Sequence, residues 1–120
     1  MCMTSNQVLT HSALRAGALL GLSHAEFARA LGLDQSTVSA MEHGLAELQG
    51  DTPSGQLALT LIKIYQSLTA NVGGDEQACK QWVCSHNTGL VGTPALLMQS
   101  EGGLNTVLAY LQSMEAPQGR

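Results

Sequence analysis

The groups in this chain with nucleophilic or metal-ligating chemistry of their own are three cysteines and four histidines. Cys2, Cys79 and Cys84 are odd in number, and no pair has zinc-type spacing with a second pair, so they read as free thiols of a reducing cytoplasm. His11, His24, His43 and His86 are scattered, and none has a matching ligand at helical spacing, so no metal is expected. Glu42-His43 is the nearest approach to an acid–imidazole pair, and its place on an exposed helix makes it a surface patch. No Ser or Cys has an obvious His/Asp support that would make it a nucleophile. Gly73-Gly74 runs into Asp75 rather than into the Lys-Ser/Thr of a phosphate-cradling loop. Catalysis and cofactors are therefore not expected. What is left is chemistry by binding.

The binding groups with the most ordered spacing are Gln35, Ser36, Thr37, Ser39 and His43, within the stretch LSHAEFARALGLDQSTVSAMEHG from Leu22 to Gly44. Ser23 followed by Glu26 is a capping box, and Leu22 before the cap can staple onto Phe27. The first helix runs from His24 to Leu31 and stops at Gly32, which tolerates a left-handed helix exit. Asp34 is a second N-cap, and Gln35 to His43 form the second helix, ended by Gly44. Ala28 supplies the small residue a steep helix crossing needs, Gly32 the turn, and Val38 and Met41 the inward face. That spacing is the pattern of a DNA-reading helix-turn-helix. Its outer face would carry Gln35, Ser36, Ser39, Ala40 and His43, with Thr37 near the groove. Gln35 can pair bidentately with adenine, and the serines can reach a base or a phosphate.

The elements that position this face are expected to be helices throughout. Aromatic residues make up only 3% of the 120 residues and apolar ones 44%, so the core must be Leu, Ala, Val and Met, which suits an all-α fold. A first helix covers Gln7 to Gly21, and a turn of helix fits Leu45 to Leu48. Thr52-Pro53 is an N-cap with proline at the first helical position. The helix it opens, Ser54 to Ala70, carries Leu57, Leu61, Ile64 and Leu68 in one stripe, widened by Ala58, Ile62 and Tyr65. So wide an arc fits either a central helix covered from both sides or a homodimer seam. No stretch is long and apolar enough to span a membrane, and no signal peptide is evident, so a cytoplasmic location is expected. The net charge of −4 argues against DNA binding by charge. Residues 1–70 hold three basic side chains (Arg15, Arg29, Lys63) against five acidic ones (Glu26, Asp34, Glu42, Glu47, Asp51). Helix N-termini, hydroxyl and amide donors, dimer symmetry or a partner must make up the difference.

Asn71-Val72-Gly73-Gly74-Asp75 marks the boundary between a first unit, residues 1–71, and a second, residues 72–120. Asp75 or Glu76 opens a helix through Trp82 and Val83. A loop with Asn87, Gly89, Gly92 and Pro94 follows, then a short helix with Leu96, Leu97 and Met98. The last helix, Leu104 to Met114, turns Leu104, Val107, Leu108 and Leu111 inward, and Glu115 to Arg120 reads as a mobile tail.

Trp82, Asn87, Leu90, Gly92, Pro94, Leu96, Leu97, Gly102, Val107 and Leu111, in this order after a helix-turn-helix, resemble the frame of the toxin-binding domain in Xre-type antitoxins, the MbcA/ParS group. The chain departs from it in having His86 before the asparagine, and Ala40 where relatives carry Arg or Lys. The resemblance implies an antitoxin that dimerises, covers the active site of a RES-domain, NAD-depleting toxin, and joins it in repressing their operator DNA. It further implies that Trp82 is core, that Asn87 and Gly92 shape the loop, and that the last helix and tail face the toxin. Asn87, Tyr110, Gln118, Gly119 and Arg120 are then the candidate toxin-binding residues. The competing expectation is a stand-alone helix-turn-helix regulator whose C-terminal unit serves dimerisation.

Overall fold

The structure, a computed structural model, describes residues 5–100 and 102–114. They form helices α1 (Ser5–Leu19), α2 (His24–Leu31), α3 (Gln35–Glu42), α4 (Pro53–Asn71), α5 (Glu76–Cys84), α6 (Pro94–Leu97) and α7 (Gly103–Met114). The expected all-α class holds, and the helix starts and stops fall within two residues of those read from the sequence.

Helix α4 is the axis of the molecule. Thr52 caps it, its Oγ1 accepting from the Gly55 N–H at 3.1 Å, and Pro53 occupies the first turn, where a missing N–H costs nothing. Ala58, Leu61, Ile64 and Leu68 are buried, and Leu57, Ile62 and Tyr65 pack at the rim of the core. The arc is wide because α1, α2, α5 and α7 all pack against α4. Of the two explanations for that arc, the covered central helix accounts for most of it. Leu59 of α4 stays 39% exposed and Val8 of α1 48% exposed.

Helix α1 buries Leu9, Ala13 and Ala16, and Leu20 just beyond it is also buried. Gly17 is where α1 meets α2: a Cβ there would sit 2.5 Å from Phe27 Cδ1, so a side chain would push the two helices apart. The turn of helix expected over Leu45 to Leu48 does not form. The tertiary structure offers that backbone better partners. The Leu48 N–H donates to the buried Thr10 Oγ1 at 2.7 Å, and Thr10 in turn donates to the Asn6 carbonyl at 2.7 Å. Leu48 itself is 3% exposed. A local hydrogen bond is thus given up for a long-range one that also buries a leucine.

The C-terminal helices close onto the same core. Cys79 and Val83 of α5, Ala95 and Met98, and Leu104, Val107 and Leu111 of α7 are buried. Leu108 is only partly so. The glycine-marked turn at 72–74 therefore joins two sets of helices that share α4 rather than two separate cores. The expected tail, Glu115 to Arg120, lies outside the described residues.

Candidate functional site

The local rules that shape the helix-turn-helix are met almost in full. The Glu26 N–H donates to Ser23 Oγ at 3.1 Å, and the Ser23 N–H donates to Glu26 Oε1 at 2.8 Å. Both are backbone donors that the first turn of α2 would otherwise leave unpaired. Gly32 takes φ +72°, and the Leu33 N–H reaches back to the Ala28 carbonyl at 2.8 Å, closing α2 and redirecting the chain into α3. Ala28 at the crossing is 2% exposed, Val38 is fully buried and Met41 is 4% exposed. Asp34 adopts the N-cap backbone, but its side chain makes no capping hydrogen bond. At this exposed helix start those N–H groups are left open to solvent.

Gln35, Ser36 and Ser39 are exposed on α3, as is His43, which caps its C-terminus and does not extend the helix as expected; Thr37 and Ala40 are half-buried. His43 Nδ1 lies 2.8 Å from the Ser39 carbonyl. A carbonyl only accepts, so this contact puts a proton on Nδ1 and leaves Nε2 as the outward atom. Glu42 does not pair with His43. Its Oε2 lies 2.8 Å from His24 Nε2, tying the end of α3 to the start of α2. The face is polar and carries no cation: α3 reads QSTVSAME. Asp34 adds a carboxylate beside the α3 N-terminus, where a DNA phosphate would otherwise be attracted.

The second candidate region is the loop between α5 and α6. Asn87 and Gly92 pair across it, N–H to carbonyl in both directions, at 2.8 Å and 3.2 Å. Asn87 Oδ1 accepts from the Gly89 and Leu90 N–H groups at 2.8 Å and 3.2 Å, which is what an asparagine side chain does in a tight turn. Tyr110 of α7 lies against Gly89, so closely that a Cβ there would be 2.5 Å from the phenol oxygen. The tyrosine ring stacks on Trp82 with centroids 6.4 Å apart and planes 25° apart. Trp82, expected in the core, is half-buried and packs against its edge. Within this unit α5 fully buries Cys79 and Val83, and the indole pairs with Tyr110 at the rim of the core. Val91, at the tip, has φ +57°. For a β-branched residue that conformation costs roughly 1–2 kcal/mol. The side chain is 82% exposed.

Apart from these two regions, a cleft of about 660 Å³ lies between α2, α4 and the start of α7, lined by Gln56, Thr60 and Asn105 among others. Arg29 Nη1 of α2 donates to Gln99 Oε1, beyond α6, at 2.8 Å across it.

Comparison with known families places these two regions in two separate matches. Residues 13–66 match a helix-turn-helix family, and residues 67–116 match the antitoxin Xre/MbcA/ParS C-terminal toxin-binding domain. The chain belongs to the Xre-type antitoxins. Among curated proteins no match to this antitoxin is found. The two matching families are a DNA-binding regulator fold and an antitoxin domain, neither of them an enzyme family. No helix of the described residues is long and apolar enough to cross a membrane.

The antitoxin's candidate residues fall into two groups. Gln35, Ser36, Ser39 and His43 share the exposed side of α3, with Thr37 at its edge. Asn87 and Tyr110 come together through Gly89, although they lie on different elements. Gln118, Gly119 and Arg120 lie outside the described residues. Sequence reasoning did not single out Val91, and it placed Leu96 in the family frame without expecting it to face solvent; their side chains are 82% and 66% exposed. The available signal was two large aliphatic residues flanking a Gly-Thr-Pro turn, where solvent-facing loops usually carry polar ones.

Proposed function

We propose that this antitoxin neutralises a RES-domain, NAD-degrading toxin by covering its active site, and that it helps repress their shared operator through α3. Residues 1–71 would serve DNA reading and dimerisation, and residues 72–120 toxin binding, in the cytoplasm. The observation that carries this reading is the match of residues 67–116 to a toxin-binding domain, downstream of a capped helix-turn-helix with an exposed polar α3. The RES identity comes from the resemblance of the Trp82-to-Leu111 frame to that antitoxin group. A homodimer is supported by the apolar groove of about 430 Å³ between α1 and α4, lined by Val8, Leu9, Leu59 and Ile62. Two copies would present two α3 helices to half-sites about one DNA turn apart.

The absence of any Lys or Arg on α3, and the carboxylate of Asp34 at its start, favour operator binding as the toxin complex over binding by the antitoxin alone. The test is to co-express the antitoxin with the product of its adjacent gene and measure NAD loss with and without it. A stable complex that suppresses NAD loss is the expected result. Absence of a complex, together with salt-dependent operator binding by the antitoxin alone, would make it a stand-alone regulator.

A further inference from the structure

We infer that the antitoxin seats on its toxin through Val91, a rigid apolar knob at the tip of the α5–α6 loop, with Leu96 of α6 as a second anchor. This rests on the toxin-binding reading above and names the residues that would make the contact.

Val91 is the one described residue other than glycine with a positive φ, and it is 82% exposed. The closure of the loop sets this backbone, but the fold does not call for an exposed valine on it. Glycine or asparagine would hold the same backbone with less strain, and a polar side chain would suit water better. The loop is also not a loose tip. The Asn87–Gly92 pair closes it, the Val91 N–H donates to the Thr88 carbonyl at 3.3 Å, and Gly89 is pressed against Tyr110, which is backed by Trp82. A side chain presented in advance in this way loses little freedom on binding, which is where preorganised contacts gain affinity.

The chemistry of the surface selects its occupant. Residues 81–100 contain no Lys, Arg, Asp or Glu. A segment without cations is unsuited to a phosphate backbone. An uncharged centre with apolar anchors is how protein–protein contacts are built. Of the exposed large aliphatic side chains among the described residues, Val8, Leu45 and Leu59 lie in the N-terminal region. Val91 and Leu96 are the two within the segment that matches a toxin-binding domain. The partner surface they fit is an apolar pocket on the toxin, and not the operator.

The experiment is affinity measurement between the purified antitoxin and the product of its adjacent gene, for the wild type, Val91→Asn, Leu96→Ser and the distant control Leu45→Ser. Thermal stability and the mass of the free antitoxin in solution are measured alongside. Val91→Asn is expected to unfold at the same temperature or higher, since asparagine tolerates positive φ, and to bind about tenfold or more weakly. Leu96→Ser should weaken binding in the same direction, and Leu45→Ser should leave it unchanged. Binding by Val91→Asn and Leu96→Ser within about twofold of the wild type would overturn the inference while leaving the antitoxin reading intact. So would a change in oligomeric mass with either variant, which would make the loop a contact between copies. Failure of the wild type itself to bind would remove the toxin reading, and this inference with it.

Discussion

Substituting Gly89 by alanine tests how the C-terminal loop is held to α7. The new Cβ would lie 2.5 Å from Tyr110 Oη, 2.6 Å from Cε1 and 2.8 Å from Cζ, all well inside contact distance. Gly89 is not among the residues with positive φ, so alanine fits the backbone and the cost must come from the tyrosine ring. The ring has to move away, and its stacking on Trp82 is lost or weakened. An aromatic pair of this kind contributes about 0.5–1.5 kcal/mol beyond its buried area. Against this, Gly→Ala reduces the freedom of the unfolded chain and stabilises by about 0.4–1 kcal/mol. The single variant should therefore range from about 0.5 kcal/mol more stable to about 1 kcal/mol less stable. In a Tyr110→Ala background the clash is gone, and the same change should stabilise by about 0.4–1 kcal/mol. The coupling between the two sites, about 0.5–1.5 kcal/mol, is the quantity to measure, by urea unfolding of the four members of the cycle. Trp82 is the only tryptophan in the chain, so its native-state fluorescence reports the stack directly. Emission from Gly89→Ala should move toward that of Tyr110→Ala. A coupling below about 0.3 kcal/mol with unchanged emission would show that Tyr110 does not lie against Gly89, and would detach it from the loop.

Two further outcomes follow from the N-terminal half. Thr10→Val removes the acceptor of the buried Leu48 N–H while keeping the side chain's size, and should destabilise by about 1–3 kcal/mol in urea unfolding, with Thr10→Ser largely preserving stability. An unchanged midpoint for the valine variant would mean that water reaches that N–H. Gln35→Ala should lower discrimination between the operator and a scrambled duplex by about 1–3 kcal/mol, measured by fluorescence anisotropy with the toxin complex. Equal discrimination would take Gln35 out of the base-reading set.

What the sequence by itself determined is local. Ser23 with Glu26, Gly32, Thr52 with Pro53, and Asp75 each act on backbone groups two to four residues away, so their effect can be read without knowing what packs where. The inward faces of α3, α4 and α7 were legible for the same reason: helical periodicity places Val38 with Met41, or Leu104 with Val107 and Leu111, whatever lies opposite. The candidate DNA-reading face is the complement of those inward positions, and so was legible too.

The tertiary structure decided what depends on residues far apart in the chain. Leu45 to Leu48 had the composition of a helical turn, but Thr10 offers its backbone a buried partner 38 residues away. Trp82 looked like a core residue because a lone indole usually is. Its exposure was set by which face of α5 met α4, and that left it to pair with Tyr110. Leu96, one position from the half-buried Leu97, was turned out by the short α6, which has a single inward side to offer. The left-handed Val91 follows from closing the Asn87–Gly92 pair and pressing Gly89 onto Tyr110. No propensity of valine predicts it, because the loop's closure overrides the residue's own preference.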